Sequence, residues 1–240
     1  MNVLAIGAHP DDVEAYCAGT LARCANRGDK IYIATSTNGN IGSASLSPPE
    51  IAAIRKEEAR KSAALIGAEY ICLDYDDEMF FESKQVRLAF INLVRYCKAD
   101  LILTHNPEDY NPDHELTSKI VNDIAVMIPI GNIKTEHAPY DRIPMIYYWE
   151  TVNGLNFIPT DYVDITETYD VKVRMFSQHA SQVKWMKDNY KDSFKETDSD
   201  FFESILVQSR YRGLQCGVKY AESFIRPTDA FRMTATRLLP

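Results

Sequence analysis

Short apolar runs alternate with longer amphipathic segments over the first half of the chain. The candidate strands are four mainly apolar runs, at 3–6, 31–34, 70–73 and 100–104. The candidate helices carry apolar residues at helical spacing and lie at 12–27, 49–66, 84–97 and 114–127. The runs are long enough for buried strands and too short for core helices. Four strand–helix units in succession predict right-handed crossovers and a parallel sheet with helices on both faces.

Beyond about residue 129 this regular alternation ends. The further elements predicted there are strands at 145–149 and 162–165, helices near 167–188 and 199–213, and a polar surface loop at 190–199. We therefore expect one α/β domain with a Rossmann-like, three-layer core and a mostly parallel sheet. The core is assigned to 1–128, and a C-terminal α+β extension to 129–240.

The composition is that of an ordinary globular protein, and it restricts the partners. Apolar residues make up 45% of the 240 residues and charged residues 25%. The net charge of −8 disfavours a nucleic-acid partner, whose phosphates require a basic face, and an anionic membrane surface. No run reaches the ~20 apolar residues that a membrane-spanning helix needs.

The N-terminus and the cysteines indicate a cytoplasmic location. The first residues lack the basic region and the long apolar region of a signal peptide. The five cysteines are odd in number and include no CxxC pair. We expect them to be reduced, mostly in the core.

Two polar clusters follow the first and fourth predicted strands. They are residues 8–14, AHPDDVE, and residues 105–114, HNPEDYNPDH. Ligands bind outside the carboxyl ends of the strands in an open α/β sheet, and the first and fourth strands are neighbours in the usual doubly wound order. The two clusters are therefore expected to converge.

Two imidazoles and several carboxylates at one place indicate a divalent metal. His9, Asp12 and His114 form a set of two histidines and one carboxylate, the pattern of catalytic zinc with positions left for water and substrate. The same set suits ferrous iron or another divalent metal. Zinc lowers the pKa of bound water to about 7. Asp11 adjoins the site without being needed as a ligand, which makes it the candidate general base.

The same residues have structural alternatives. Asp11 and Asp12 are also favoured in the first turn of a helix, where carboxylates cap the chain. Asp113 can cap the fourth helix in the same way, or orient an imidazole of the metal site from behind. His105 either contributes to the chemistry or satisfies backbone groups in the pocket wall. His179 is either a packing histidine or a substrate contact.

Motifs for other chemistries are absent from the sequence. There is no GxSxG nucleophile elbow, and residues 39–42 match neither a Walker A loop nor a GxGxxG fingerprint. Catalysis by serine or cysteine and the use of a nucleotide cofactor are therefore weakly supported.

The chain resembles the PIG-L/LmbE-like family of zinc-dependent N-deacetylases. The specific parts are residues 7–14, GAHPDDVE, and 111–114, NPDH. Weaker support comes from segments spread over the rest of the chain: 37–39, 55–59, 65–67, 179–182, 212–213 and 220–224.

The resemblance implies hydrolysis of an N-acetyl group from an amino sugar or glucosaminyl conjugate, by a protein that forms homo-oligomers. It implies that zinc binds to His9, Asp12 and His114 and that Asp11 transfers the proton. It also implies that Arg55 reaches the substrate; otherwise Arg55 is an exposed helix residue that pairs with Glu57 or Glu58.

Asn111 departs from the family pattern. Many relatives carry a histidine there, three residues before the last metal ligand, where it stabilises an oxyanion. An asparagine amide can donate a hydrogen bond but carries no charge and delivers no proton. Either Asn111 acts as a neutral donor, or His105 or Tyr110 takes over, or the reaction differs.

Two other functions stay open. One is a metal-containing sugar- or nucleoside-binding protein without hydrolase activity, and the other is a hydrolase of a different amide. Substrate choice is expected to depend on the loops at 40–50, 75–83 and 129–143. The candidate stacking residues, which otherwise pack in the core, are Tyr75, Phe80, Phe81, Tyr140, Tyr148 and Trp149.

Overall fold

The computed structural model describes residues 1–189, 201–228 and 237–240. The strands are β1 (Asn2–Gly7), β2 (Lys30–Thr37), β3 (Glu69–Tyr75), β4 (Leu101–Thr104), β5 (Met145–Trp149), β6 (Asp161–Asp164) and β7 (Ala221–Ile225). The helices are α1 (Asp12–Tyr16), α2 (Ala18–Asn26), α3 (Pro48–Ala64), α4 (Lys84–Cys97), α5 (Pro112–Ile124), α6 (Tyr169–Phe176), α7 (Ala180–Asn189) and α8 (Phe201–Cys216). Short 3-10 turns lie at Ala125–Met127 and Val152–Gly154.

The described strands form one mixed sheet in the order β3-β2-β1-β4-β5-β7-β6. The first five strands of the chain pair in parallel, and β7 pairs antiparallel with both β5 and β6. The predicted α/β class and mostly parallel sheet are confirmed. So is the contact between the first and fourth strands, which brings the two polar clusters to one edge.

Both faces of the sheet are covered, which explains why its central strands read as continuous apolar runs. In β1, Val3 and Ala5 pack into the core on one face, while Leu4 and Ile6 pack on the other. All four side chains are fully buried. The apolar spacing of α4 and α5 completes the second of these cores.

The helices differ from the predicted ones at particular residues. The segment expected as one helix over 12–27 divides at Cys17, whose φ of −141° is not helical, into α1 and α2. The helix expected over 167–188 divides between Phe176 and Ala180. The strand β7 was not predicted, and the surface loop expected at 190–199 lies outside the described residues. None of the helices in the described part of the chain is long and apolar enough to cross a membrane.

Candidate active site

Three side chains of the two polar clusters meet at the carboxyl end of β1. His9 and Asp12 come from the turn between β1 and α1, and His114 comes from the first turn of α5. Nε2 of His114 lies 3.2 Å from Nδ1 of His9 and 3.4 Å from Oδ1 of Asp12. Nδ1 of His9 lies 3.6 Å from Oδ2 of Asp12. The structure thus brings together the three residues proposed as metal ligands.

This triangle has the dimensions of a tetrahedral metal site. Ligand atoms about 2.0–2.1 Å from a zinc ion at tetrahedral corners are about 3.3 Å from one another. The separations of 3.2, 3.4 and 3.6 Å agree with that spacing. The donor set of two imidazoles and a carboxylate therefore fits zinc, and it fits ferrous iron as well.

Buried carboxylates set the tautomer of each imidazole, and with it the nitrogen that is available to bind a metal. Oδ1 of Asp77 lies 2.7 Å from Nε2 of His9, and Oδ1 of Asp109 lies 3.0 Å from Nδ1 of His114. We assign the ring N–H to the nitrogen that faces the carboxylate, which leaves a lone pair on the other nitrogen of each ring. Those two lone pairs face each other at 3.2 Å and repel unless a cation lies between them.

Protons compete with a metal for these ligands. Burial lowers the pKa of His114, but Asp12 and the hydrogen bond to Asp109 raise it to about 9. Burial also lowers the pKa of His9, and hydrogen bonds to neighbouring carboxylates raise it well above its usual value. A metal must displace these protons, so its affinity rises with pH.

Asp11 adjoins the ligands in an unusual backbone conformation. Its φ of 124° and ψ of −21° lie in a region that residues other than glycine rarely adopt. Strain of this kind is found at functional sites, where the surrounding structure maintains it. Burial raises the pKa of the Asp11 carboxyl to about 6, although the Arg55 guanidinium acts in the opposite direction. A carboxylate with this pKa suits proton transfer near neutral pH.

Arg55 joins the turn that carries Asp11 to the loop after β2. Its Nη2 donates to the Pro10 carbonyl at 2.7 Å and lies 3.4 Å from Oδ1 of Asp11. Its Nη1 donates to the Gly39 carbonyl at 3.3 Å. Since Arg55 is only 4% exposed, the alternative of an exposed helix residue is wrong. A Cβ atom at Gly39 would lie under 3.0 Å from the guanidinium, so the close approach requires glycine.

His105 lies in the wall of the site, behind Asp12. The ring is fully buried, and its Nδ1 accepts a hydrogen bond from Nε1 of Trp149 at 3.2 Å. Its Nε2 lies 2.9 Å from the Ala8 nitrogen and 3.1 Å from Oδ2 of Asp12. Burial and the charge of His114 lower the pKa of His105 to about 4, so the ring is neutral. Its position is that of a support for Asp12, without an open face for substrate.

His179 is fully buried behind α1. Its Nε2 lies 3.3 Å from Oε1 of Glu14, which also accepts a hydrogen bond from the Ser62 hydroxyl at 2.6 Å. Burial lowers the pKa of His179, but Glu14 raises it above its usual value. This pair connects the C-terminal extension to α1, and the ring has no exposed surface for substrate.

Asn111 caps the N-terminus of α5. Its Oδ1 accepts from the backbone nitrogens of Asp113 at 2.8 Å and His114 at 3.3 Å, and its Nδ2 donates to Oε1 of Glu78 at 2.8 Å. Pro112 follows at the first helical position, which it favours. The amide proposed as an oxyanion donor is thus held by three hydrogen bonds that position His114.

Asp113 and Asp109 each lie beside one imidazole of the triangle. Asp113 lies 3.4 Å from Nε2 of His9, and its Oδ2 accepts from the Glu78 nitrogen at 2.8 Å. It therefore lies behind His9, whereas Asp109 orients the adjacent His114. Sequence reasoning missed Asp109, although it belongs to the second polar cluster. It also missed Asp77, which only the fold brings to His9.

One exposed aromatic ring stands against the site, and another lies on a loop that contacts the site through Asp77. Tyr110 is 74% exposed, and its ring stands edge-on to His114 with 5.6 Å between centroids. Phe81 is 70% exposed on the loop before α4. Among the other candidate stacking residues, Phe80, Tyr148 and Trp149 are buried and belong to the core.

A family model supports the likeness that the motifs indicate. The model described as "PIG-L: GlcNAc-PI de-N-acetylase" matches residues 4–125. The match contains both polar clusters and all three residues of the metal triangle. It covers just over half of the 240 residues.

Similar proteins share most of the chain's length. The diacetylchitobiose deacetylase of Thermococcus kodakarensis is 25% identical, over 92% of this chain and 81% of that protein. The structure of N,N'-diacetylchitobiose deacetylase from Pyrococcus horikoshii, solved with an inhibitor, is 26% identical with a TM-score of 0.78, over 92% of this chain and 82% of that one. GalB, the 4-carboxy-2-hydroxymuconate hydratase of Pseudomonas putida KT2440, has a TM-score of 0.81 at 20% identity, over 99% of this chain and all of that one. At that identity the last likeness shows the fold alone.

Proposed function

The chain belongs to the PIG-L family of de-N-acetylases, and we propose that it is a metal-dependent hydrolase of the N-acetyl group of an amino sugar or glucosaminyl conjugate. The observation that carries this proposal is the triangle of His9, Asp12 and His114, with Asp11 beside it and not part of it. A divalent metal held by the three ligands would supply Lewis acidity and would activate water for attack on an amide carbonyl. The deacetylases among the similar proteins support the amino-sugar substrate.

Asp11 serves as the general base. Its carboxyl has a pKa of about 6, so it is ionised at neutral pH and accepts the proton of the attacking water. The same group, now protonated, returns the proton to the nitrogen of the departing amine. One carboxylate can perform both steps because they follow each other and leave it in its initial state.

Arg55 positions this base. Its guanidinium bonds the carbonyl of Pro10, the residue before Asp11, and its charge opposes the rise in the carboxyl's pKa. Arg55 thereby maintains both the strained turn and a base that is ionised near pH 7. Its buried place gives it this role in addition to any contact with substrate.

Tyr110 and Phe81 provide the substrate surface. Both rings are exposed on loops that border the triangle, and flat aromatic faces stack on the apolar faces of sugar rings. His105 and His179 act from behind the ligands: the first supports Asp12, and the second pairs with Glu14.

The test is acetate release from a panel of N-acetylated amino sugars. Metal-stripped protein is expected to be inactive and to regain activity when zinc is restored. The Asp11→Asn variant is the matched control, because it keeps the ligands and removes the base. Loaded wild-type protein that binds the sugars but releases no acetate would favour a sugar-binding protein, and release from other amides alone would favour a different amidase.

Zinc is the proposed metal because the ligand separations match tetrahedral geometry. Elemental analysis of protein purified without added metal tests this choice. If the protein contains one equivalent of iron per chain and loses activity on oxidation, the metal is ferrous iron and not zinc.

We further propose a single domain, a homo-oligomer and a cytoplasmic location. The free state of all five cysteines supports a reducing compartment. Exposed apolar side chains at Leu155, Ile158 and Leu214, each more than 60% accessible, support association. Light scattering measures the oligomer, and one cooperative unfolding transition is expected of one domain.

A further inference from the structure

Hydrolysis of an amide requires a hydrogen-bond donor for the oxyanion that forms when water adds to the carbonyl. Preorganised donors of this kind contribute much of the rate enhancement in acyl transfer. Asn111 and His105 are nominal donors near the triangle, but neither is free to take the role. The third candidate, Tyr110, is 74% exposed at the rim of the site.

The Asn111 amide is committed to the fold. Its oxygen caps α5 through two backbone N–H groups, and its nitrogen donates to Glu78. Turning the amide towards a developing oxyanion breaks the cap beside His114. The His105 ring is sealed from solvent, between the Trp149 N–H on one side and Asp12 on the other.

Tyr16 lies on the same helix as Asp12 and has no assigned role. It follows Asp12 by four residues on α1, so the two side chains lie on one face of the helix. Side chains of a helix lean towards its N-terminus, and here that end carries Asp11 and Asp12. The phenol ring therefore extends back towards the metal triangle.

The core holds this ring in place. Tyr16 stacks on Trp149 with 6.4 Å between centroids and 16° between planes. Trp149 in turn donates to His105, which contacts Asp12, so the tyrosine and the metal ligand share one rigid support. A donor fixed in this way loses little entropy when it acts.

The Tyr16 hydroxyl is also uncommitted. It forms no hydrogen bond with any residue in the described ranges, and the ring is only half-buried. Burial and the carboxylate of Asp12 raise the pKa of Tyr16 well above 10, with further contributions from Tyr110 and Asp109. The phenol therefore keeps its proton at working pH and stays a donor.

We propose that the Tyr16 hydroxyl donates the hydrogen bond that stabilises the oxyanion during amide hydrolysis, a role that Asn111 cannot take. The proposal rests on the deacetylase function above and adds a catalytic residue to it. No proton is transferred: the phenol O–H stays intact, and its bond to the substrate oxygen strengthens as negative charge develops there. An interaction of this kind lowers the barrier without tightening substrate binding.

The experiment compares the Tyr16→Phe variant with wild-type protein, both loaded with metal. Loss of one oxyanion donor costs on the order of 100-fold in kcat, with KM nearly unchanged. A second readout needs no turnover: a tetrahedral phosphonamidate analogue of the acetylated amino sugar should bind Tyr16→Phe about 100-fold more weakly, while the amine product binds both proteins alike. Metal content and melting temperature should match the wild type.

Two matched variants complete the test. Tyr162→Phe removes a hydroxyl on β6 that bonds Gln215 far from the site, and it should leave both readouts unchanged. Tyr110→Phe keeps the stacking surface and should reduce kcat much less than Tyr16→Phe. Unchanged kcat and analogue affinity in Tyr16→Phe overturn the proposal, as does a full loss in Tyr110→Phe alone. Wild-type protein that binds the analogue but releases no acetate refutes the deacetylase function and leaves the analogue comparison as the test of Tyr16.

Discussion

Replacing Asp109 by alanine is expected to weaken metal binding through His114. The Asp109 carboxylate lies 3.0 Å from Nδ1 of His114, and both side chains are at most 4% exposed. A buried, charge-assisted hydrogen bond of this kind fixes the tautomer and orientation of the ligand and raises its basicity. Loss of such a partner typically costs 10–100-fold in metal affinity. That range corresponds to about 1.4–2.7 kcal/mol of binding free energy.

Competition with a chromogenic chelator at constant pH measures the zinc affinity. Asp109 also accepts a hydrogen bond from the Asn111 nitrogen at 3.2 Å, so alanine disturbs the loop as well as the ligand. Asp109→Asn keeps an oxygen in place for both groups and removes only the charge, and we expect a loss below tenfold. Asp123 lies on α5, the helix that carries His114, and forms ion pairs with Lys119 and Arg87. The Asp123→Ala variant should leave the zinc affinity unchanged. Wild-type affinity in Asp109→Ala would refute the reasoning.

Three further outcomes are expected. Since Asp11 must be ionised and its carboxyl has a pKa of about 6, kcat/KM should rise with pH through about 6. The Arg55→Gln variant removes the charge that opposes this pKa, so the rise in kcat/KM should move to higher pH. An unchanged pH profile would contradict the electrostatic role of Arg55. Gly39→Ala should lower the free energy of unfolding by more than about 1 kcal/mol and reduce activity, because φ is +68° and the added Cβ meets the Arg55 guanidinium; Gly67→Ala, with the same φ and nothing within 4 Å, separates the backbone cost from the crowding in denaturant titrations of the two variants. For metal-free protein, the raised pKa of His114 contributes stability that is complete below about pH 6.5 and is lost as the pH rises through about 9. The denaturant concentration at the unfolding midpoint should therefore decrease as the pH is raised from about 6.5 to about 9. A midpoint that does not change with pH would mean that the proton on His114 does not stabilise the fold.

Electrostatics explain why Asp12 suits a metal ligand while its neighbour Asp11 suits a general base. Asp12 lies against the imidazoles of His114 and His105, and although burial alone raises the pKa of its carboxyl, these rings lower it well below its usual value. Asp11 has no imidazole within bonding distance among the described residues, and burial raises the pKa of its carboxyl to about 6. Adjacent residues thus become a permanent anion suited to a metal and a titratable base, because the backbone turn points them into different surroundings.

Periodicity determined the first half of the fold and not the second. Four apolar runs separated by amphipathic helices specify crossovers whose geometry follows from chain chirality, so the neighbouring places of β1 and β4 were predictable. No local pattern required β7, at 221–225, to insert between β5 and β6. That pairing is antiparallel and distant along the chain, and tertiary packing selected it.

The candidate metal ligands were evident from the sequence alone, because motifs at the ends of adjacent parallel strands must converge and two imidazoles with a carboxylate suit few other purposes. Only the tertiary structure decided which groups surround them. Asp77 comes from the turn after β3 and Tyr16 from the far end of α1, while Arg55 is buried on a helix that reads as polar. Spacing along the chain specifies local geometry. The partner of a side chain across loops depends on how whole elements pack, because burial and charge act through space over a few ångströms whatever the separation in sequence.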